Sequence, residues 1–302
     1  MVYNSGVVIA EINNAKNVLS YGAKGDGTTD DAQAIQAVLD SLKSTGGTIY
    51  FPNRVYSVET ALEFYSNQIL LFEPGATIFQ GKAINNIFRS YCETSWTGFT
   101  GTHDSWIVGA TFKGNSTFSL STTLAGIVHC NNVAFVGCKF LNPPGSWHCM
   151  EVSASSNIKI LSCEFGGHSG SEMLQIDEDI SSGSWPWDGA AHDSTGCDNV
   201  LIDGCLFNTS PNSYGIGTHH GSSFDRITVT NCTFDGINTC VRFAGGAQNV
   251  LFVGNIVKNC TNGIDYASAK TFANGNVFDT VTTVLSGSGV ARNNMVNGSF
   301  VA

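Results

Sequence analysis

The sequence predicts an all-β chain wound into a parallel β-helix, a solenoid with one helix over its first coil. Three observations carry that fold class. A short segment recurs along the chain, as IVGATFKG (107–114), VAFVGCKF (133–140), IKILSCEF (158–165), VLIDGCLF (200–207), ITVTNCTF (227–234), VLFVGNIVKN (250–259) and ANGNVF (273–278). Its aromatic or valine slot falls at Phe112, Phe140, Phe165, Phe207, Phe234, Val257 and Phe278, at intervals of 28, 25, 42, 27, 23 and 21 residues. The segments alternate with a period of two and show no helical period, as stacked coils of strand require. Leucine-rich repeats have a similar length, but their Leu/Asn consensus is missing.

Composition agrees with this. At 302 residues and 42% apolar content the chain can bury a large core, and residues 1–302 are expected to form a single domain. The 34 Gly against 6 Pro suit many short strands separated by turns. A net charge of −10 argues against nucleic acid or an anionic membrane as partner, because neither is attracted to an acidic surface. No apolar run approaches the roughly 18 residues of a membrane span, so no membrane insertion is expected. The opening MVYNSGVVIAEI lacks a basic n-region and a long apolar h-region. The expected location is extracellular or in a virion such as a phage tail, the chain travelling as part of something larger or having lost its signal.

Each recurring segment is a first strand. Its fourth-from-last position holds a turn residue, and the next slot holds Cys138, Cys163, Cys205 or Cys232 in four of the coils. Equivalent slots imply a column of small buried thiols rather than disulfides or a metal site, since Cys packs as a small hydrophobe and no C-x-x-C pair is present. A second strand follows in HCMEVS, EMLQID, YGIGTH, TCVRFA and NGIDYA, with inward pairs Met150/Val152, Leu174/Ile176, Ile216/Thr218, Val241/Phe243 and Ile264/Tyr266. Ahead of the coils, DDAQAIQAVLDSL (30–42) carries Ile35, Val38, Leu39 and Leu42 at helical spacing, with Asp30 or Asp31 as N-cap and Gly46-Gly47 ending the unit. Residues 16–47 are expected to cap the solenoid, and GTIYFP and RVYSVE to begin its coils.

The stretch NVLSYGAKGDGTTDDAQAIQAVLDSL followed by GGTIYFP resembles the opening of the pectate-lyase-like superfamily, which includes polygalacturonases and phage tailspike depolymerases. The resemblance implies a right-handed single-stranded parallel β-helix that acts on polysaccharides, and the tail-fibre members imply a homotrimer. TCVRFA resembles the polygalacturonase segment carrying Arg-Ile-Lys, which places Arg242 on the Arg and Ala244 on the Lys. SEMLQI resembles the Asp-Asp segment, with Ser171 and Glu172 at those positions. HCMEVS stands where Asn-Thr-Asp lies in the family, with His148 on the Asp, and YGIGTHHG where Gly-His-Gly lies, with the histidines displaced to His219 and His220. One fold hosts lyases, hydrolases, epimerases and binders, so the reaction has to be argued from the site.

The longest interval contains an insertion, residues 178–197, with Trp185, Trp187, Asp188, His192 and Asp193 and no strand signal. Such a loop projects from one face of a solenoid, where binding residues accumulate. Trp185, Trp187 and Asp188 are therefore candidate sugar-binding residues; the alternative is a tolerated loop whose Trp pair packs on the coil surface.

The stretch EMLQIDED (172–179) places four carboxylates in eight residues of a chain that is only 13% charged. With Leu174 and Ile176 inward, the outward columns read Glu151, Gln175, Gly217, Arg242, Asp265 and Ser153, Asp177, His219, Ala244, Ala267. Neighbouring coils lie roughly 4.8 Å apart and same-face residues roughly 6.7 Å apart, so Glu151 and Asp177 are roughly 8 Å apart on a diagonal, inside the ~6.5 to 9.5 Å carboxyl separation of inverting glycosidases. Asp177, Glu172 and Glu151 are the candidate acids, with His219 tuning Asp177. Gln175, His220 and Arg242 are candidate substrate contacts. Glu178 and Asp179 start the loop and are either functional or merely solvated.

Clustered carboxylates also suit Ca²⁺. A Ca²⁺-dependent lyase needs basic groups to hold a uronate chain and remove its proton, yet the chain has only 14 Lys and Arg. The expectation is a glycoside hydrolase, endo-acting and inverting, with no metal or cofactor. A pectate-type lyase using Ca²⁺, or a carbohydrate-binding adhesin module without chemistry, is the alternative.

Overall fold

The computed structural model describes residues 14–179, 190–218, 224–243, 247–265 and 270–301. The expected loop residues Trp185, Trp187 and Asp188, the candidates His219 and His220, and Ala244, Tyr266 and Ala267 of the predicted columns lie outside the described residues.

Strands stack in parallel into two sheets, one of 11 strands and one of 17, giving a solenoid of about ten turns with one short α-helix. The predicted aromatic ladder is in register from coil to coil: Phe112, Phe140, Phe165, Phe207, Phe234, Val257 and Phe278 are successive partners. The Phe rings from Phe112 to Phe234 stack face to face with centroids 4.7–5.3 Å apart, and this stack is the centre of one continuous apolar core. A backbone residue in the left-handed region precedes the cysteine slot in eight successive coils, at Gly109, Gly137, Ser162, Gly204, Asn231, Gly254, Gly275 and Asn293. Gly and Asn are the residues that adopt this conformation most cheaply, and it turns the chain from one sheet to the next.

All ten cysteines are free, and the expected column is present. The Cys163 amide donates to Cys205 Sγ and the Cys205 amide to Cys232 Sγ, each at 3.4 Å. In later coils the same slot holds asparagine. The Cys232 amide donates to Asn255 Oδ1, the Asn255 amide to Asn276 Oδ1 and the Asn276 amide to Asn294 Oδ1, at 2.9–3.0 Å. The three amides are buried with their Nδ2 groups bonded to main-chain carbonyls, so the ladder continues in a different side chain without an unpaired donor.

The predicted helix spans Ala32–Ser41, burying Ile35, Val38 and Leu39 against the first coils. Of its two candidate caps, one serves. Asp30 Oδ1 accepts from the Ala32 amide at 3.0 Å, whereas the Asp31 side chain turns away and accepts from the amides of Lys24 and Gly25. Asp26 binds the amides and hydroxyls of Thr28 and Thr29. The acids of GAKGDGTTDD thus fold their own loop instead of serving only as caps. The strands Gly47–Phe51 and Val55–Val58 then begin the coils, as expected.

Candidate active site

The second-strand columns match the sequence expectation. Met150, Leu174, Ile216, Val241 and Ile264 are register partners on the inward side; Glu151, Gln175, Gly217, Arg242 and Asp265 are partners on the outward side; and Ser153 pairs with Asp177. The outward column extends further than the sequence suggested, through Gly126 and Arg89 to Glu63 at one end and to Ser286 at the other.

Glu172 joins this face from the start of its strand. Its side chain lies across the outward side of Gly217, where a β-carbon would collide with Glu172 Cγ and approach Oε1 to 2.9 Å. Glycine at 217 therefore makes room for a carboxylate between Gln175 and Arg242. Ser171 Oγ donates to Glu172 Oε2 at 2.5 Å, Gln175 Nε2 donates to Asp177 Oδ2 at 2.5 Å, and Ser153 Oγ donates to Glu151 Oε1 at 3.0 Å. Each acid is thus oriented by a neutral donor from its own strand. Gln175 Oε1 is buried and has no hydrogen-bond partner among the described residues. Arg242 sits over the Tyr214 ring, 5.6 Å from its centroid, and 3.9 Å from Asp265.

An outward direction does not expose these acids: Asp177 and Glu151 are 4% exposed and Glu172 is 0% exposed. The strands Met150–Ser153 and Glu172–Asp177 are buried on both faces. Beside them Ala190 packs on Val128 and Ala154, which brings the end of the inserted loop against the coil.

That contact belongs to a second polar cluster, which the sequence did not reveal. Asp179, expected to be functional or merely solvated, is 0% exposed. His129 Nε2 donates to Asp179 Oδ2 at 3.0 Å and its Nδ1 to the Gly98 carbonyl at 2.8 Å. Neither oxygen can donate, so the ring is held doubly protonated. Burial works to lower the His129 pKa, but the Asp179 bond, the Gly98 carbonyl and the charges of Asp179 and Asp193 outweigh it and raise it. Burial likewise works to raise Asp179, and the bonds from His129 and the His192 amide, with the two imidazole charges, hold it below the usual carboxylate range. His192 Nδ1 lies 3.0 Å from Asp179 Oδ1, and Asp193 binds the amides of Gly98 and Thr195. The cluster ties the loop around Gly98, the turn at His129, the end of the acid-bearing strand and residues 192–195 into one clasp.

His129, Asp179 and Asp193 are also the described residues whose ligand atoms converge closely enough for a metal ion. They do not fit Ca²⁺, which takes oxygen ligands. Both nitrogens of His129 and all four carboxylate oxygens already face protein partners. His168 is a further buried imidazole. Burial lowers its pKa, and it is held as a neutral ring, with Nε2 donating to the Trp147 carbonyl and Nδ1 accepting from the Gly170 amide.

Residues 15–265 match the family described as rhamnogalacturonase A/epimerase, pectate lyase-like. The chain belongs to that family. Members of this pectate lyase-like group form right-handed parallel β-helices, and solved structures agree. The surface adhesin PfbA of Streptococcus pneumoniae superposes with a TM-score of 0.77 over 93% of this chain and 77% of that one, at 23% identity. A family 28 exopolygalacturonase of Yersinia enterocolitica superposes at 0.58 over 93% of this chain and 68% of that one, at 16% identity. In sequence, the plasmin and fibronectin-binding protein A of S. pneumoniae is 27% identical over 80% of this chain, and the pre-neck appendage protein of Bacillus phage B103 is 25% identical over 86%. The matched regions span 39% and 27% of those two relatives, so the chain corresponds to less than half of either. The family's relatives thus include both enzymes and adhesins. No helix among the described residues is long and apolar enough to cross a membrane.

Proposed function

We propose that the chain is a polysaccharide depolymerase, an endo-acting glycoside hydrolase of a neutral or weakly charged glycan. Asp177 is one of its two proton-transferring carboxyls, and Glu151 or Glu172 is the other. The observation that carries this is the register that sets Glu151, Gln175 and Asp177 on one outward face of neighbouring strands, with Glu172 folded over Gly217 beside them. Strand spacing puts Glu151 and Asp177 roughly 8 Å apart at Cβ, within the ~6.5 to 9.5 Å that leaves room for a water between base and sugar. One carboxyl then protonates the glycosidic oxygen while the other takes the proton from water, and the anomeric centre inverts. Gln175 holds Asp177 by its amide and offers Oε1 to a sugar hydroxyl.

Charge supports a neutral substrate. Three carboxylates on one face repel a polyuronate. Both cations in the column already face a carboxylate, Arg89 with Glu63 at 2.7 Å and Arg242 with Asp265 at 3.9 Å, so neither is a ready contact for an acidic substituent. The adhesin and phage-appendage relatives support an extracellular or virion location; the homotrimer is what the resemblance to tail-fibre members implies.

A second reading, a glycan-binding module without chemistry, is favoured by the burial of all three acids. Incubation with a panel of bacterial and plant polysaccharides separates the two. New reducing ends without the ultraviolet absorbance of an unsaturated uronate support hydrolysis, both signals together mean elimination, and retention of a glycan with neither signal means binding alone.

A further inference from the structure

The acids of the proposed reaction lie on the 17-stranded sheet, and the outer face of the 11-stranded sheet carries a different feature. A groove of ≈ 760 Å³ runs across its neighbouring strands Asp198–Asp203, Asp225–Thr230, Val250–Val253, Thr271–Asn274 and Val290–Arg292. One wall is the register column Thr228, Leu251, Phe272 and Val290. Leu251, Phe272 and Val290 are 42%, 36% and 51% exposed, three large apolar side chains in a row on successive coils. A contiguous apolar stripe of this kind, rimmed by polar groups, marks an interaction site, whereas apolar side chains scattered singly do not. The other wall lies two residues earlier on the same coils and holds Arg226, Asn249 and Lys270. Among the described residues no Asp or Glu lines the groove, in a chain whose net charge is −10. Arg226 reaches back to Asp198, while Lys270 is exposed and has no carboxylate partner among the described residues.

We propose that this groove docks an acidic amphipathic α-helix of a protein partner, with the helix lying along the solenoid axis. Its apolar face covers Leu251, Phe272 and Val290, and its acidic flank meets Lys270 and Arg226. The exposure of the apolar wall decides against a small ligand, because a pocket for one encloses about 70–90% of its surface. Spacing selects the helix. Residues on one face of an α-helix recur every three or four positions, about 4.5–6 Å at its 1.5 Å rise, and the coils lie about 4.8 Å apart. Same-face residues of an extended segment recur at about 6.7 Å and fall out of step with the coils after one repeat. Five coils span about 19 Å, so a helix of about 13 residues covers the groove and sets an apolar side chain against each exposed one. Charge selects the flank. Carboxylates on the helix complement a wall that carries cations and no acid, and a basic helix is repelled there.

The test measures binding of two labelled helical peptides of about 13 residues to the full chain by fluorescence anisotropy. Both peptides carry Leu at every third or fourth position; one is flanked by Glu and the other by Lys. The wild type is expected to bind the Glu-flanked peptide at least tenfold more tightly than its Lys-flanked counterpart. Phe272→Asp and Lys270→Glu are each expected to weaken that binding at least tenfold while melting at the wild-type temperature, since both side chains point outward. No binding of the Glu-flanked peptide, equal binding of the two peptides, or undiminished binding in the variants overturns the proposal. Sedimentation showing self-association that Phe272→Asp abolishes assigns the groove to a second copy of the chain. Flotation with vesicles of acidic phospholipid that the same variant abolishes assigns it to a membrane surface, and either result overturns the helix.

Discussion

Two carboxylate clusters meet at the end of the strand Glu172–Asp177, two residues apart, and they differ in what surrounds them. In the clasp, every oxygen of Asp179 faces an imidazole or an amide, and His129 balances its charge. On the sheet face, Glu151, Glu172 and Asp177 gather with neutral donors from Ser153, Ser171 and Gln175, and a bare acceptor remains at Gln175. A buried group whose bonds are all made stabilises one geometry. Acids gathered in one buried patch are candidates for a functional site. Under the proposed function, Asp177 and Asp179 are two acids of one short stretch with a chemical and a structural role.

Substitutions break this comparison in graded steps. The largest effect is expected from Asp177→Asn, a loss of turnover of about 10²- to 10⁴-fold in a reducing-end assay, as for removal of a general acid or base. Because Asp177 is buried and accepts from Gln175, some stability is lost too, about 1–3 kcal/mol in urea denaturation. In the clasp the order reverses: His129→Ala strands Asp179 without its buried cation and should cost about 3–5 kcal/mol of stability, with catalysis affected only as far as the fold loosens. Gly217→Ala drives a β-carbon into Glu172 and should cost about 1–3 kcal/mol. If Glu172 is the partner acid, the same variant lowers kcat more than it raises KM.

The clasp also predicts a pH dependence. His129 is raised in the fold, so its contribution is full below its ordinary value near 6.5 and is lost as pH climbs through the raised one. Asp179 is lowered, so its contribution is full above about 3.9 and is lost as pH falls through the depressed value. Melting temperature should therefore be highest between about pH 4 and 6.5, and the alkaline fall should flatten in His129→Ala. The smallest effect is expected from Asp193→Asn, below about 1 kcal/mol, because that carboxylate is exposed and its partners are amides.

The fold was legible because a solenoid repeats itself. Period-two alternation fixed which of Glu151, Gln175, Arg242 and Asp265 point outward, and the coil spacing fixed which of them are neighbours. The slot that showed four cysteines is taken over by Asn255, Asn276 and Asn294 in later coils, a continuation that only the hydrogen bonds reveal. The clasp was not legible. His129 meets Asp179 across 50 residues and Gly98 meets Asp193 across 95, with contacts made by loops that carry no period. The burial of Asp177 was missed because the pairing of neighbouring coils predicts a side chain's direction and not its exposure. Of the two cap candidates at the helix start, Asp30 accepts from the Ala32 amide, while the Asp31 side chain serves the preceding loop.

The most direct measurement is glycan retention by the Asp177→Asn chain alongside its turnover, using whichever polysaccharide the wild type cuts. An acid on the sheet face that moves protons predicts a folded variant that still holds the glycan and no longer releases reducing ends. Cutting at the wild-type rate, or loss of activity only in step with unfolding, contradicts it.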